Sequence, residues 1–384
     1  MLLLFPAVHA TDVVPFINPT DSYSHLQSFI ANSNELKIAT YTFTSQAIAN
    51  MLLSLHANIT IIADASPVGG FPEISNNIFC QLLENNISVY LYTGPLNYHH
   101  AKYIVKSDSV LVSTENLGDD GYPSDGQGNR GWSVIVDDEA ISKEFSRIFQ
   151  EDLKNSKPFI CSQTAYNSIT TPTTIVYDVY NGQSVRAVFA PDATSDILKL
   201  INSAEKSIYV EQFYIYKYWG VGINPFLDAI LNKARKGVVV KILLDSTYYN
   251  LDKADKNSNI NTISYLNEIA GAENLRLEAK LADAVKLDVV KFHIKGVIVD
   301  EKTAFVSSIN WNRNSATNNR EAGVLIEGSA AKYFSNAFLN DWNNGEASDI
   351  TGLITENPNN ALIIFLLVVI VAVIVYRFKR FATV

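Results

Sequence analysis

Three of the chain's six histidines, His99, His100 and His293, stand at the head of two segments that share a pattern of side chains. The later segment reads His293-Ile-Lys295-Gly-Val-Ile-Val-Asp300 and continues to Ser307-Ser308-Ile-Asn310. The earlier one reads His100-Ala-Lys102 and continues to Ser113-Thr114-Glu-Asn116. In a strand, residues i and i+2 project from one face, so each histidine shares a face with its lysine. A turn and a return strand bring the hydroxyl and the carboxamide back to the same patch. That set suits a phosphate. Lys102 and Lys295 supply compact positive charge, and Thr114, Ser308, Asn116 and Asn310 supply donors to non-bridging oxygens. An imidazole can attack phosphorus or protonate the leaving oxygen, so two sets supply one nucleophile and one acid. A lone H-x-K carries no information, but two copies in register with a repeat, each trailed by [ST]-x-N, do.

The elements that must position these groups are themselves repeated. Pro19-Thr20-Asp21-Ser22 precedes the helical pattern HLQSFIANS and the strand pattern LKIATYTF. Pro191-Asp192-Ala193-Thr194 precedes DILKLINSAEK and SIYVEQFYI. A helix and a β-branched strand follow in each half, and Asp64 and Asp245 end those strands in matching places. Each half closes on an amphipathic helix, EAISKEFSRIFQEDL or SAAKYFSNAFLNDW. Alternating strands and helices predict an α/β fold of two similar lobes, with mixed, mostly parallel sheets flanked by helices.

The second segment resembles the H-x-K-x4-D-x6-G-S-x-N signature of the phospholipase D superfamily, with Ser307 at the usual glycine. The resemblance covers both lobes, roughly residues 15–348, and includes Asn319-Arg320-Glu321. It implies that the lobes pack to form one active site. It further implies a two-step reaction on a phosphodiester that needs no metal and no cofactor. One histidine becomes a covalent phosphohistidine; the other protonates the leaving group, then activates water or an alcohol. By the family's habit His100 is the nucleophile and His293 the acid, Glu321 supports an imidazole from behind, and Asp300 is mainly structural. The first copy departs from the signature. It runs sixteen positions from His100 to Asn116 against seventeen in the second copy, has Ser107 where Asp300 stands, and has Gly131 where Glu321 stands.

Composition sets the frame. Hydrophobic residues make up 47%, which excludes disorder as the dominant state. Two cysteines exclude a disulfide framework and a four-cysteine zinc site. Cys80 and Cys161 can pair in an oxidising compartment, or Cys80 sits as a thiol on the apolar face of the helix IFCQLLENN. The formal charge of -9 argues against a generic nucleic-acid coat, because phosphate neutralisation needs clustered cations. Residues Ala361 to Tyr376 carry no charge, and Arg377, Lys379 and Arg380 follow. That pattern predicts a transmembrane helix with a cytoplasmic tail and both lobes on the extracytoplasmic side. The chain therefore divides into a signal remnant over 1–10, a first lobe over 11–154, a linker over 155–184, a second lobe over 185–348, a spacer over 349–359, a transmembrane helix over 360–376 and a tail over 377–384. The glycine-rich acidic loop Gly118 to Gly128 follows Asn116 and should border the site. The expected function is a membrane-anchored phosphodiesterase that cleaves or transfers a phospholipid headgroup. A single-strand nuclease and a cardiolipin-synthase-like phosphatidyltransferase are the alternatives from the same superfamily, and no partner protein is implied.

Overall fold

In the computed structural model, which describes residues 10–161 and 172–344, the β-branched runs of both halves form strands and the amphipathic runs form helices. The first half contains β1 (Thr11–Asn18), α1 (Ser22–Ile30), β2 (Glu35–Thr40), α2 (Gln46–Ser54), β3 (Asn58–Asp64), α3 (Glu73–Glu84) and β4 (Ser88–Tyr92). A hairpin of β5 (Tyr103–Val105) and β6 (Ser109–Ser113) follows, then β7 (Gly131–Asp137), α4 (Glu139–Lys154) and β8 (Ser156–Pro158). The second half repeats the order: β9 (Tyr180–Ala190), α5 (Thr194–Ser203) and β10 (Ser207–Gln212), then a small hairpin of β11 (Tyr218–Trp219) and β12 (Gly222–Ile223). Next come α6 (Pro225–Arg235), β13 (Val239–Leu244), α7 (Asn259–Glu273), β14 (Leu277–Leu281), β15 (Lys295–Val299) and β16 (Thr303–Ser307). The half ends with α8 (Arg313–Thr317), β17 (Glu321–Glu327) and α9 (Ser329–Asn344).

The strands form a fifteen-stranded sheet, β14-β13-β10-β15-β16-β17-β9-β1-β7-β6-β5-β2-β3-β4-β8, whose two halves meet where β9 pairs with β1. The expectation of mostly parallel sheets is corrected here. Only β10–β13, β13–β14, β2–β3 and β3–β4 pair in parallel; the other ladders are antiparallel. Helix crossovers link just those strands, whereas the hairpins and returning strands between them reverse direction. The expected C-terminal transmembrane helix is corrected as well. Among the described residues no helix is long and apolar enough to cross a membrane. The segments at 349–384, and 1–10 apart from Ala10, lie outside the described residues. The stretch read as a linker contributes β8 and the start of β9.

Three apolar layers hold the fold. Helices α1, α2 and α3 cover one face of the first half through residues such as Leu26, Met51 and Phe79. Helices α5, α6 and α7 do the same in the second half, through Ile201, Phe226 and Leu266. The closing helices α4 and α9 bury Phe145, Phe149, Phe334 and Phe338 in one core shared by both halves. Asp138 caps α4 by accepting from the Ala140 and Ile141 N–H groups, which fixes where that helix begins. Trp132 lies against Gly296, where any β-carbon would enter its ring. Cys80 is disulfide-bonded to Cys161, tying α3 to the segment after β8.

Reciprocal exchange locks the halves together. The Arg130 guanidinium donates twice to Asp341 on α9, at 2.7 and 2.8 Å. The Arg320 Nε donates to both oxygens of Asp152 on α4, at 2.9 Å. Both aspartates are buried, so each arginine is held by a carboxylate from the opposite half. His99 belongs to this lock: its Nε2 lies 3.2 Å from Asp152.

Candidate active site

The site lies on this seam, and the backbone is fixed before the side chains act. Asp64, at the end of β3, accepts the His99 N–H at 2.5 Å; Asp245, just past β13, accepts the Phe292 N–H at 2.8 Å. Each aspartate thus anchors the residue immediately before a candidate catalytic histidine. The histidine N–H groups then cross the seam. His100 N–H donates to the Arg320 carbonyl and His293 N–H to the Arg130 carbonyl, both at 2.8 Å. The segments Asn129-Arg130 and Asn319-Arg320 therefore carry the ion-pair lock and the backbone register of the opposing histidine together.

The imidazoles are oriented by the opposite half too. His100 Nδ1 lies 2.7 Å from Glu321, and His293 Nδ1 lies 3.1 Å from both oxygens of Glu115. The sequence pointed to Glu321 as one imidazole's support, with Gly131 as an empty counterpart in the first half. The structure shows that the counterpart is filled from a different position. A β-carbon on Gly131 would sit 2.6 Å from Glu115 Oε1, so the glycine leaves the space that the Glu115 carboxylate occupies. Glu115 directly precedes Asn116, and Ile309 holds the corresponding place before Asn310. Two compensating differences, glutamate for isoleucine and glycine for glutamate, give each histidine one carboxylate. The signal was present as a buried acid between Thr114 and Asn116, but it carries no meaning until the halves are docked.

The lysines are tied to their own strands. Lys102 Nζ donates to the His100 carbonyl at 2.6 Å, and Lys295 Nζ donates to the His293 carbonyl. Asn116 and Asn310 each keep a buried Oδ1 with no protein partner, so both carboxamides are uncommitted and available to a ligand. Thr114 and Ser308 differ from the sequence reading, which gave them to the phosphate. Both are fully buried. The Ser308 hydroxyl donates to Glu321 at 2.6 Å and the Thr114 hydroxyl to Glu115 at 3.3 Å, so they brace the carboxylates instead. Asp300 is remote from the chemistry. It lies past the far end of β15 from His293, where its carboxylate accepts the N–H groups of Glu205, Lys206 and Ser207 and fixes the turn before β10. Aromatic rings flank the imidazoles, with Tyr41 4.6 Å from His100 and Phe213 4.9 Å from His293.

Burial sets the electrostatics. It lowers the His100 pKa to about 4, with Lys102 and Lys295 adding to the effect against the opposing pull of Glu321. Burial, then Lys295, Lys291 and Lys102, hold His293 well below its ordinary value. Lys102 falls to about 8 and Lys295 falls well below the usual lysine range, both chiefly by burial. The two carboxylates diverge. Burial raises Glu115. Glu321 resists burial because His100, Lys102 and Ser308 favour its charge, and it is lowered. Ser315 and Asn319 donate to it as well. The seam thus turns two imidazoles and two lysines towards an anion, with a carboxylate behind each imidazole.

The family model described as the PLD-like domain of cardiolipin synthase matches residues 26–153 and 197–342. A cardiolipin synthase of Clostridium perfringens (strain 13) is 30% identical over 162 residues, covering 40% of this chain and 32% of that protein. A phospholipase D of Rickettsia typhi is 25% identical over 177 residues, covering 44% of this chain and 70% of that protein. The chain spans about a third of the length of the cardiolipin synthases it matches. In fold, it is similar to the crystal structure of phosphatidylserine synthase from Haemophilus influenzae Rd KW20, with a TM-score of 0.64 over 95% of this chain and 96% of that one, at 13% identity.

Proposed function

The chain belongs to the phospholipase D superfamily, and on that premise we propose that it cleaves or transfers a phospholipid headgroup through a covalent phosphohistidine. The reading is carried by one observation: the two seam histidines, each backed by a carboxylate from the opposite half. Glu321, kept ionised, holds the His100 Nδ1–H and leaves Nε2 with its lone pair, which suits a nucleophile. Glu115 stands behind the His293 Nδ1 and favours the protonated imidazole against the lowering by burial and the lysines, which suits an acid. In the first step His100 Nε2 bonds to phosphorus while the P–O bond to the headgroup breaks, and His293 gives its proton to the departing oxygen. In the second, water or an alcohol returns a proton to His293 and bonds to phosphorus as the P–N bond breaks. Lys102, Lys295, Asn116 and Asn310 balance charge on the non-bridging oxygens throughout. The acceptor in the second step decides between hydrolysis and transfer, and the likeness to a cardiolipin synthase supports transfer as an outcome to assay.

A lipid fits the surroundings better than a nucleic acid. All 39 acidic residues precede position 360, against 27 of the 30 basic ones, so a polyanion meets net repulsion. Val68, Val221, Val285, Val290, Tyr248 and Tyr249 are exposed in loops at the end of the sheet that carries the histidines. The Cys80–Cys161 disulfide supports placing the lobes outside the cytoplasm, in an oxidising compartment. The test is turnover of phosphatidylcholine-type lipid and of short single-stranded DNA, side by side, with H100A and H293A. Lipid turnover that both substitutions abolish is expected. Cleavage of DNA with lipid untouched refutes the lipid reading.

A further inference from the structure

A cavity of about 280 Å³ opens beside His293, lined by the residues after β2 and by the Gly118–Gly121 loop. It touches His293 and Asn116 but not His100. In the two-step scheme the leaving oxygen departs on the acid's side, away from the nucleophile, so this cavity faces the headgroup rather than the diacylglycerol. Its walls are rich in acceptors. Asn129 is 4% exposed and spends its Nδ2 on Glu115, which leaves its Oδ1 buried and unpartnered in the lining. Asn116 Oδ1 is likewise buried without a partner. Asp119 and Asp120 stand exposed at the rim, and Thr42 and Thr44 also line the cavity. Among the described residues that line it, Lys291 is the one lysine or arginine. The loop is held against this wall: a β-carbon on Gly118 would meet Thr44 Oγ1 at 2.7 Å, and one on Gly121 would meet the Asn116 carbonyl at 2.6 Å.

Resting on the phosphodiesterase reading, we infer that this cavity is the headgroup subsite and that it takes a small primary amino alcohol. Buried acceptors without donors are costly until a ligand supplies N–H groups. A primary ammonium brings three donors and a charge opposite to that of Asp119 and Asp120. A trimethylammonium brings the charge but no N–H, and a simple alkyl headgroup brings neither. The volume lies just under the roughly 300 Å³ at which drug-sized clefts begin, which suits a group of a few heavy atoms.

The experiment measures kcat/KM for three lipids of identical acyl chains in mixed micelles: phosphatidylethanolamine, phosphatidylcholine and phosphatidylpropanol. Phosphatidylethanolamine should lead both others by about tenfold, the value of one charge-assisted hydrogen bond. In D119N/D120N its lead over phosphatidylpropanol should narrow, because the attracting charges are lost while the Asn116 and Asn129 acceptors remain. In D119K/D120K it should invert. Cleavage with the ratio unmoved by these substitutions overturns the subsite and leaves the phosphodiesterase reading standing. Failure to cleave any of the three overturns both. Because the two aspartate side chains are exposed, an unchanged thermal midpoint will separate loss of selectivity from loss of fold.

Discussion

Replacing Glu115 by glutamine is the perturbation that separates the two histidines. The amide keeps the volume and the hydrogen-bonding shape of a fully buried side chain, but removes the charge facing His293. The two Glu115 oxygens lie 3.1 Å from His293 Nδ1. At that distance an effective dielectric of about 20 gives roughly 5 kcal/mol of Coulomb attraction to the protonated imidazole. Desolvation opposes most of it, and a hydrogen bond to a charged group leaves a net of about 2 kcal/mol. That is roughly thirtyfold in rate, applied only when His293 must carry a proton. The assay therefore compares two leaving groups. A lipid headgroup departs as a poor alkoxide and needs the acid; p-nitrophenolate does not. For E115Q, kcat on lipid should fall about thirtyfold, while kcat on bis(p-nitrophenyl) phosphate should change by less than about threefold. E321Q, acting on the nucleophile, should slow both substrates. Equal losses on both substrates in E115Q would refute the division of labour and reduce Glu115 to a structural brace.

Three further outcomes follow from the same geometry. On bis(p-nitrophenyl) phosphate, kcat/KM should rise with pH through about 4, as the depressed His100 loses its proton and gains its lone pair, and should fall above about 8, as Lys102 loses its charge. K102R should remove the alkaline fall, and an acid limb near the ordinary histidine value of 6.5 contradicts the assignment. G131A should lower stability by about 1–3 kcal/mol in urea titration, and its activity profile should match that of E115Q, because the new β-carbon displaces that carboxylate. R130A strands the fully buried Asp341 and should cost about 3–5 kcal/mol, whereas R147A, from an exposed pair with Glu151, should cost under about 0.5 kcal/mol. Similar thermal shifts for those two variants would show that the interlobe exchange does not lock the halves.

The residues that carry charge and nucleophilicity were legible because each copy keeps them in order: His100, Lys102 and Asn116, then His293, Lys295 and Asn310. Asp64 and Asp245 stood out as matching strand ends, yet their task of holding the backbone before each histidine needs the fold to be seen. Glu115 was hidden because its equivalence to Glu321 is spatial, not sequential. Thr114 and Ser308 were placed on the phosphate because a hydroxyl's sequence says nothing of which acceptor reaches it first; in the structure the buried carboxylates do. The repeat gave the two halves and the amphipathic closing helices. It could not give strand direction, since hairpins and helical crossovers both join β-branched runs. The uncharged stretch at 361–376 spoke for a transmembrane helix by composition alone, and no described helix bears that out.

The most direct test of the central claim, one phosphodiester site with His100 as nucleophile and His293 as acid, is capture of the covalent intermediate. The protein is mixed with lipid, quenched in base to preserve a phosphoramidate, digested and read by mass spectrometry. The predicted result is a phosphatidyl adduct on the peptide bearing His100, absent in H100A. An adduct on the His293 peptide instead, or turnover with no adduct on either histidine, would contradict the account.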